Sequence, residues 1–151
     1  LSQDNYPIIE CDIGIQKPSK MIFENEEEML HFINNDKVSE GLFLWNDGKH
    51  GKIKCSAFVI NNRCAYLSDV SLVYEKDYKY FRNLKYLVVD CLRYNKHPSH
   101  FSLPETLDLI KVLKPGKSIL TNLHSDLDYN ELKKLLPKNV VPAYDGISFN
   151  L

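Results

Sequence analysis

The chain has 151 residues, of which 44% are hydrophobic and 26% are charged, and its formal net charge is −1. This length suits a single domain with a real apolar core, so the composition excludes a disordered chain. The near-zero charge, without a basic run longer than a pair, gives no electrostatic basis for binding nucleic acid or an anionic membrane.

The first forty residues have a less regular pattern than the rest. "YPIIECDIGI" (6–15) is compatible with a strand, and "ENEEEMLHFI" (24–33) predicts a helix that begins at Asn25. The acidic first turn of that helix suits the helix dipole. "NNDKVSEG" (34–41) predicts a loop. We expect this part of the chain to be atypical for the fold described below.

From Cys55 onward the apolar pattern is regular. "CSAFVI" (55–60) and "CAYLSDV" (64–70) are separated by "NNR", a turn-forming cluster, and together predict a β-hairpin. "EKDYKYFRNL" (75–84) has a weak helical period. "YLVVDCL" (86–92) is a continuous apolar run, which is typical of a strand covered on both faces.

The second half predicts two helices and two further strands. "SLPETLDLIKVLKP" (102–115) is the clearest helix: Ser102 and Glu105 form a capping box, and Pro115 ends it. "SILTNLH" (118–124) predicts a strand, and "GISFNL" (146–151) predicts an edge strand. The inward residues of the first helix are expected to be Leu103, Leu107, Ile110 and Leu113 or Lys114. The second helix, "YNELKKLLP" (129–137), is capped by Asp128 with Glu131, and its Leu132, Leu135 and Leu136 are expected to face inward. The alternation predicts an α/β fold, a sheet with helices on one face.

The four cysteines, Cys11, Cys55, Cys64 and Cys91, do not form a CxxC pair. Cys91 lies in an apolar run, where a small buried thiol is the usual interpretation. The sequence has no secretory signal and no apolar stretch long enough for a transmembrane span, so we expect reduced thiols in a cytoplasmic protein. The chain begins without methionine, which is compatible with an unusual start, a processed end or a truncation.

Polar residues follow three of the predicted strands. Asp69 ends "CAYLSDV", Asp90 ends "YLVVD" and precedes the "HPSH" loop, and His124 ends "SILTNLH". Ligands bind such sheets beyond the strand ends, where loops converge, and His and Asp are residue types that bind Zn²⁺, Mn²⁺ or Fe or transfer protons. Structural roles stay open for each of them: a helix cap for Asp69, a buried hydrogen-bonded carboxylate for Asp90, and an ordinary strand-to-helix turn around His124.

Four segments carry a resemblance to a known family: "AYLSDVSLV", "LVVDCLRYNKHPSHFSLPETLDLI", "ILTNLHSDLDYNELKKLLP" and "VPAYDGISFNL". Together they resemble the C-terminal half of a metallo-β-lactamase-fold hydrolase. The nearest branch contains the phosphoribosyl 1,2-cyclic phosphodiesterases, and the tRNA 3′-processing ribonucleases are more distant. The resemblance covers residues 43–151 and implies an α/β fold, the C-terminal half of a four-layered αββα sandwich, with a mixed sheet and helices on one face. It thus implies one truncated domain, with residues 1–42 as its atypical part.

The resemblance also implies a metal site. His50 in "KHGK" resembles a ligand histidine, Asp69 resembles the aspartate that bridges two metals, and His124 resembles the last ligand histidine. His100 in "HPSH" resembles the catalytic histidine that donates a proton to the leaving oxygen or steadies the phosphate. His97 is expected to support catalysis beside it, and Asp126 is expected to be a supporting group. The implied chemistry is hydrolysis of a small phosphodiester by a water on two Zn²⁺ or Mn²⁺ ions about 3.5–4 Å apart.

The sequence departs from the family at its principal motif. The HxHxDH string, which supplies three metal ligands and a water-orienting aspartate, does not occur in these 151 residues. His50, Asp69 and His124 alone are expected to hold at most one ion weakly, because affinity depends on ligand number and on a rigid surrounding shell. Three hypotheses stay open: one half of a split hydrolase that pairs with a separately encoded N-terminal half, an inactive remnant that self-associates through an uncovered sheet face, or a non-catalytic interaction module.

Overall fold

The protein is described by a computed structural model that covers residues 42–151. The predicted strand at 6–15, the helix from Asn25 and the loop at 34–41 lie outside the described residues. The strands are β1 (Leu42–His50), β2 (Ile53–Ile60), β3 (Cys64–Leu67), β4 (Tyr86–Asp90), β5 (Lys117–Thr121) and β6 (Val140–Pro142). The helices are a 3-10 helix (Glu75–Tyr80), α1 (Leu103–Leu113) and α2 (Tyr129–Leu135).

The six strands form one mixed sheet in chain order, from β1 to β6. β1–β2 and β2–β3 pair antiparallel, whereas the pairs β3–β4, β4–β5 and β5–β6 are parallel. Two antiparallel reversals give β1 the same direction as β3, so the carboxyl ends of β1, β3, β4 and β5 all lie at one edge. This topology explains why residues far apart in sequence meet there.

The helices cover one face of this sheet. Leu67, Leu87 and Leu120 from the strands are fully buried against Leu113 of α1 and Leu132 of α2. The opposite face carries a smaller cluster of Cys64, Val88 and Ile119, against which Ile147 and Phe149 of the C-terminal segment pack. The prediction of a mixed sheet with helices on one face is therefore confirmed for the described residues.

Helix α1 begins as the sequence predicts. The Glu105 carboxylate accepts hydrogen bonds from the Ser102 backbone N–H (3.0 Å) and from the Ser102 hydroxyl (2.6 Å), and the helix ends at Lys114 in the left-handed conformation. Its buried stripe is Leu103, Thr106, Leu109, Ile110 and Leu113. Leu107 is only partly buried, because the sheet lies slightly to the Leu109 side of the helix.

Two sequence predictions are wrong in detail, and one strand was missed. Leu135 is 67% exposed, whereas Leu132 is fully buried and Leu136, directly after α2, packs partly buried against the core as predicted. "GISFNL" is not a strand: Ile147 and Phe149 pack their alternate side chains onto the sheet face without joining its edge. The edge strand is β6 instead, which the sequence pattern did not predict.

Strand β1 was also not predicted, because its middle is polar and irregular. A bulge between Trp45 and Gly48 interrupts its pairing with β2. A β-carbon at Gly48 would lie 2.6 Å from the Trp45 ring and 2.7 Å from the Cys55 sulfur, so only glycine fits beside this indole. The bulge lets Trp45 pack edge-on against Phe81 (ring centroids 5.1 Å apart) while His50 still reaches the functional edge.

None of the helices in residues 42–151 is long and apolar enough to cross a membrane.

Candidate metal centre

The backbone brings His50 and Asp69 to the same edge of the sheet. Asp69 lies two residues beyond β3 with φ 52°, a left-handed conformation that Asp tolerates better than most residues. The chain then turns back to β1: Lys49 N–H donates to the Leu72 carbonyl (3.1 Å), and Ser71 N–H donates to the Lys49 carbonyl (2.6 Å). His50, the last residue of β1, is thereby held beside the Asp69 turn.

The turn after His50 packs against the "HPSH" loop. Gly51 has φ 62°, and its N–H donates to the Ser71 hydroxyl (3.0 Å). A β-carbon at Gly51 would lie 3.2 Å from the Ser99 β-carbon. Glycine is therefore required both by the backbone conformation and by this close approach. The contact places His50 against His100.

The backbone at His100 is fixed by the next residue, Phe101. Phe101 N–H donates to the Val70 carbonyl (3.0 Å), and Leu92 N–H donates to the Phe101 carbonyl (2.9 Å). The "HPSH" loop is thus tied to the ends of both β3 and β4. The His100 side chain, 16% exposed, lies between the buried Asp90 and the open edge.

Three side chains converge at this edge as potential metal ligands: His50, Asp69 and His100. One ligand atom from each lies within 4.8 Å of the others. The Nε2 atoms of His50 and His100 are 3.1 Å apart, and His100 Nδ1 is 3.8 Å from Asp69 Oδ1. Two imidazoles and a carboxylate fit Zn²⁺ or Mn²⁺ by chemical type, so the residues present suit the metal that the resemblance implies.

Asp90 and Asn122 support this group. Asp90, with 0% side-chain exposure, approaches His100 Nδ1 with Oδ2 at 2.8 Å, and the same oxygen accepts the Val70 N–H at 3.0 Å. Burial raises the pKa of the Asp90 carboxyl group, and the hydrogen bonds from His100 and Val70 oppose that rise. Asn122 donates its side-chain amide to Asp69 Oδ1 at 2.9 Å.

The sequence pattern marks Asp90 as a polar strand end but does not link it with His100, because the two side chains meet only once the intervening loop has folded back. Asn122 had no signal at all: it is a left-handed residue (φ 58°) just after β5, and its type is ordinary in turns.

The other expected site residues lie outside the three-residue ligand group. His97 has its ring centroid 5.3 Å from that of His100, and its Nδ1 accepts the Ser99 N–H (3.3 Å). Desolvation, followed by the Arg93 guanidinium, lowers the pKa of His97. A catalytic role for His97 stays a prediction.

His124 lies in the loop after β5 rather than at the strand end. Its backbone N–H donates to the Leu92 carbonyl (2.9 Å), while its side chain is 59% exposed and its Nδ1 lies 2.9 Å from Asp126 Oδ1. The supporting role expected of Asp126 stays a prediction. Metal ligation by His124 stays a prediction.

No protein-family profile matches the chain, and no curated protein matches it. Solved structures do. A diphosphatase from the PhnP family is 26% identical, with a TM-score of 0.67 over 72% of this chain and 43% of its own. The short form of human tRNase Z (ELAC1) is 17% identical, with a TM-score of 0.56 over 75% of this chain and 44% of its own. The metallo-β-lactamase-fold protein YhfI from Bacillus subtilis is 16% identical, with a TM-score of 0.57 over 73% of this chain and 50% of its own. The chain thus matches half or less of the length of each.

Proposed function

We propose that this chain, which has the metallo-β-lactamase fold shown by its similarity to these structures, forms one side of a metal-dependent phosphodiesterase site. The observation that carries the proposal is the convergence of His50, Asp69 and His100 at one sheet edge, with ligand atoms within 4.8 Å. The similarity to a diphosphatase supports a phosphate-containing substrate that is hydrolysed at a P–O bond.

In this proposal His50 and Asp69 would hold a divalent cation, Zn²⁺ or Mn²⁺, and His124, in the loop after β5, would be a further ligand. When bound, the cation supplies positive charge for the phosphate and a water of lowered pKa. Asn122 orients the Asp69 carboxylate through its 2.9 Å hydrogen bond. The outward position of Asp69, whose side chain is 63% exposed, leaves it accessible to a cation or to a second ligand set.

His100 acts on the proton. Water adds across one P–O ester bond: its hydroxyl goes to phosphorus, and the departing oxygen takes up a proton. His100 Nε2 faces His50, and its Nδ1 contacts the Asp90 carboxylate, so the ring is oriented with Nε2 toward the open edge, where the proposal has it transfer the proton. In this proposal His97, whose ring centroid is 5.3 Å from that of His100, is a substrate-contacting group.

In this proposal the remaining ligands belong to the half of the fold that carries the HxHxDH string, which these 151 residues do not contain. This part of the proposal rests on the chain matching only 43–50% of the similar proteins, and on the resemblance, in which that string supplies three ligands. A self-associated or non-catalytic form of the chain is the competing hypothesis. Metal content of the chain, purified alone and together with such a half, distinguishes them.

The decisive experiment measures Zn²⁺ and Mn²⁺ affinity together with hydrolysis of bis(p-nitrophenyl) phosphate. Asp69→Asn and His50→Ala are expected to weaken metal binding by about 10–100-fold or more, whereas His100→Gln keeps the metal and abolishes turnover. Asp108→Asn, which changes an exposed carboxylate on α1, is the matched control. Absence of bound metal in the chain and in its complex overturns the proposal, and loss of the metal in His100→Gln would make His100 a ligand.

A further inference from the structure

We propose that Asp90 is a positioning residue that fixes, through one carboxylate oxygen, both the tautomer of His100 and the turn that carries Asp69. The inference rests on the proposed function for its purpose, because a fixed His100 matters only if His100 handles a proton or a metal. Its geometry stands by itself.

The first step is that the two contacts of Asp90 share an atom. Oδ2 lies 2.8 Å from His100 Nδ1 and accepts the Val70 N–H at 3.0 Å. Val70 directly follows Asp69, so the oxygen holds the backbone next to one candidate ligand and the ring of another. Displacing this oxygen is therefore expected to move the Asp69 turn and the His100 ring together.

The second step is chemical. A carboxylate is only an acceptor, so the proton of a neutral His100 must lie on Nδ1, and its Nε2 lone pair must face His50. A metal ligand or a proton-transfer group needs that same orientation, and a carboxylate behind an imidazole is the common way to secure it.

Packing alone gives no reason for a polar side chain at this position. Asp90 is fully buried and its Oδ1 has no hydrogen-bond partner among residues 42–151. Burying a polar group that is only partly hydrogen-bonded is unfavourable, so the two contacts of Oδ2 are what explain an acceptor side chain here. The backbone of Asp90 is held in place as well. The Thr106 hydroxyl donates to the Asp90 carbonyl at 2.7 Å and ties the end of β4 to α1.

The test is a spectroscopic measurement on the full chain without metal. Long-range ¹H–¹⁵N correlation of the imidazoles in mildly alkaline buffer is expected to show His100 as the Nδ1–H tautomer. In Asp90→Asn the amide oxygen can take the place of Oδ2 and keep both contacts, so the tautomer and the Val70 amide signal are expected to stay near their original state. In Asp90→Ala both contacts are lost, and His100 is expected to shift toward the Nε2–H tautomer while the Val70 amide signal moves.

Ser118→Ala is the matched control, because Ser118 is buried on the neighbouring β5 and its hydroxyl lacks a hydrogen-bond partner in the described part of the chain. It is expected to leave His100 unchanged. An Nε2–H tautomer in the unsubstituted protein overturns the inference even if Asp90→Ala does not fold, and so does an unaltered tautomer in a folded Asp90→Ala. Neither result depends on metal binding or hydrolysis, so failure of the proposed function is distinguishable from failure of this inference.

Discussion

The Nε2 atoms of His50 and His100 lie 3.1 Å apart although fifty positions separate the residues in the chain. Their rings meet edge-on, with centroids 4.6 Å apart. The contact depends on the turn at Gly51, which packs on the loop that precedes His100. The stability of this turn and the geometry of the ligand group are therefore linked.

Gly51→Ala is expected to weaken metal binding by about tenfold, because it displaces the ligand His50. The loss is comparable to that from removing a group that orients a ligand. Alanine at φ 62° costs about 1–2 kcal/mol, and its β-carbon would press on Ser99 at 3.2 Å and move His50. Gly146→Ala is the control, since Gly146 has φ 87° but open space around it. Both variants lose similar stability in urea unfolding, and only Gly51→Ala loses affinity in metal titration. Equal affinities in the two variants would contradict the link.

Glu105→Gln is expected to lower the free energy of unfolding by about 0.3–1 kcal/mol at neutral pH, because it removes a negative charge from the first turn of α1. Partial burial raises the pKa of Glu105, but the hydrogen bonds from the Ser102 side chain and backbone outweigh it, and the pKa is lowered overall. The stabilisation is therefore present above the unfolded value of 4.5 and is lost as the pH falls through the lower folded value.

Urea unfolding of both proteins across this acidic range checks the sign. The difference between the original chain and Glu105→Gln shrinks toward low pH. Asp108→Asn, on the exposed side of the same helix, is the control and leaves the pH dependence unchanged. A difference that grows on acidification would show that the capping carboxylate does not prefer its ionised form.

Leu132→Ala is expected to destabilise the fold by about 2–4 kcal/mol, because Leu132 is fully buried where α2 meets the sheet. Leu135→Ala, in the same short helix, is expected to change stability by no more than about 0.5 kcal/mol, because that side chain is 67% exposed. Thermal and urea unfolding of the two variants measure this difference. Similar losses in both would place Leu135 inside an interface.

Cys91 is expected to resist thiol reagents in the native protein. Burial raises the pKa of its thiol to about 12, and its side chain is inaccessible, so the reactive thiolate is essentially absent near neutral pH. Iodoacetamide labelling followed by peptide mass spectrometry gives a Cys91 adduct only after denaturant is added. Rapid labelling without denaturant would indicate that the end of β4 opens locally.

The sequence predicts those parts of the fold in which local pattern and tertiary packing agree. Ser102 and Glu105 predict the start of α1, and the "NNR" turn with its flanking apolar runs predicts the β2–β3 hairpin. Both predictions are confirmed. The metallo-β-lactamase fold, inferred from combined motifs, is confirmed by the solved structures.

The strand predictions fail where the alternation of apolar and polar residues does not correspond to a paired strand. Ile147 and Phe149 alternate with polar residues as an edge strand would, yet they are an extended segment packed on a sheet face. β1 shows the reverse case, because its bulge breaks the alternation that would have identified it. At the candidate site the sequence identified histidines and aspartates as candidate residues. It did not predict that Val70 and His100 share one Asp90 oxygen, because that arrangement depends on how separate loops fold together and has no local sequence pattern.

The chain-order arrangement of the sheet bears on how the protein is made. Among residues 42–151, each strand after β1 pairs with the one synthesised just before it, so the sheet can grow at one edge as the polypeptide leaves the ribosome, without waiting for a distant segment. His50, Asp69 and His100 emerge in that order. The ligand group can therefore form before β5, β6 and the C-terminal segment have been added to the sheet.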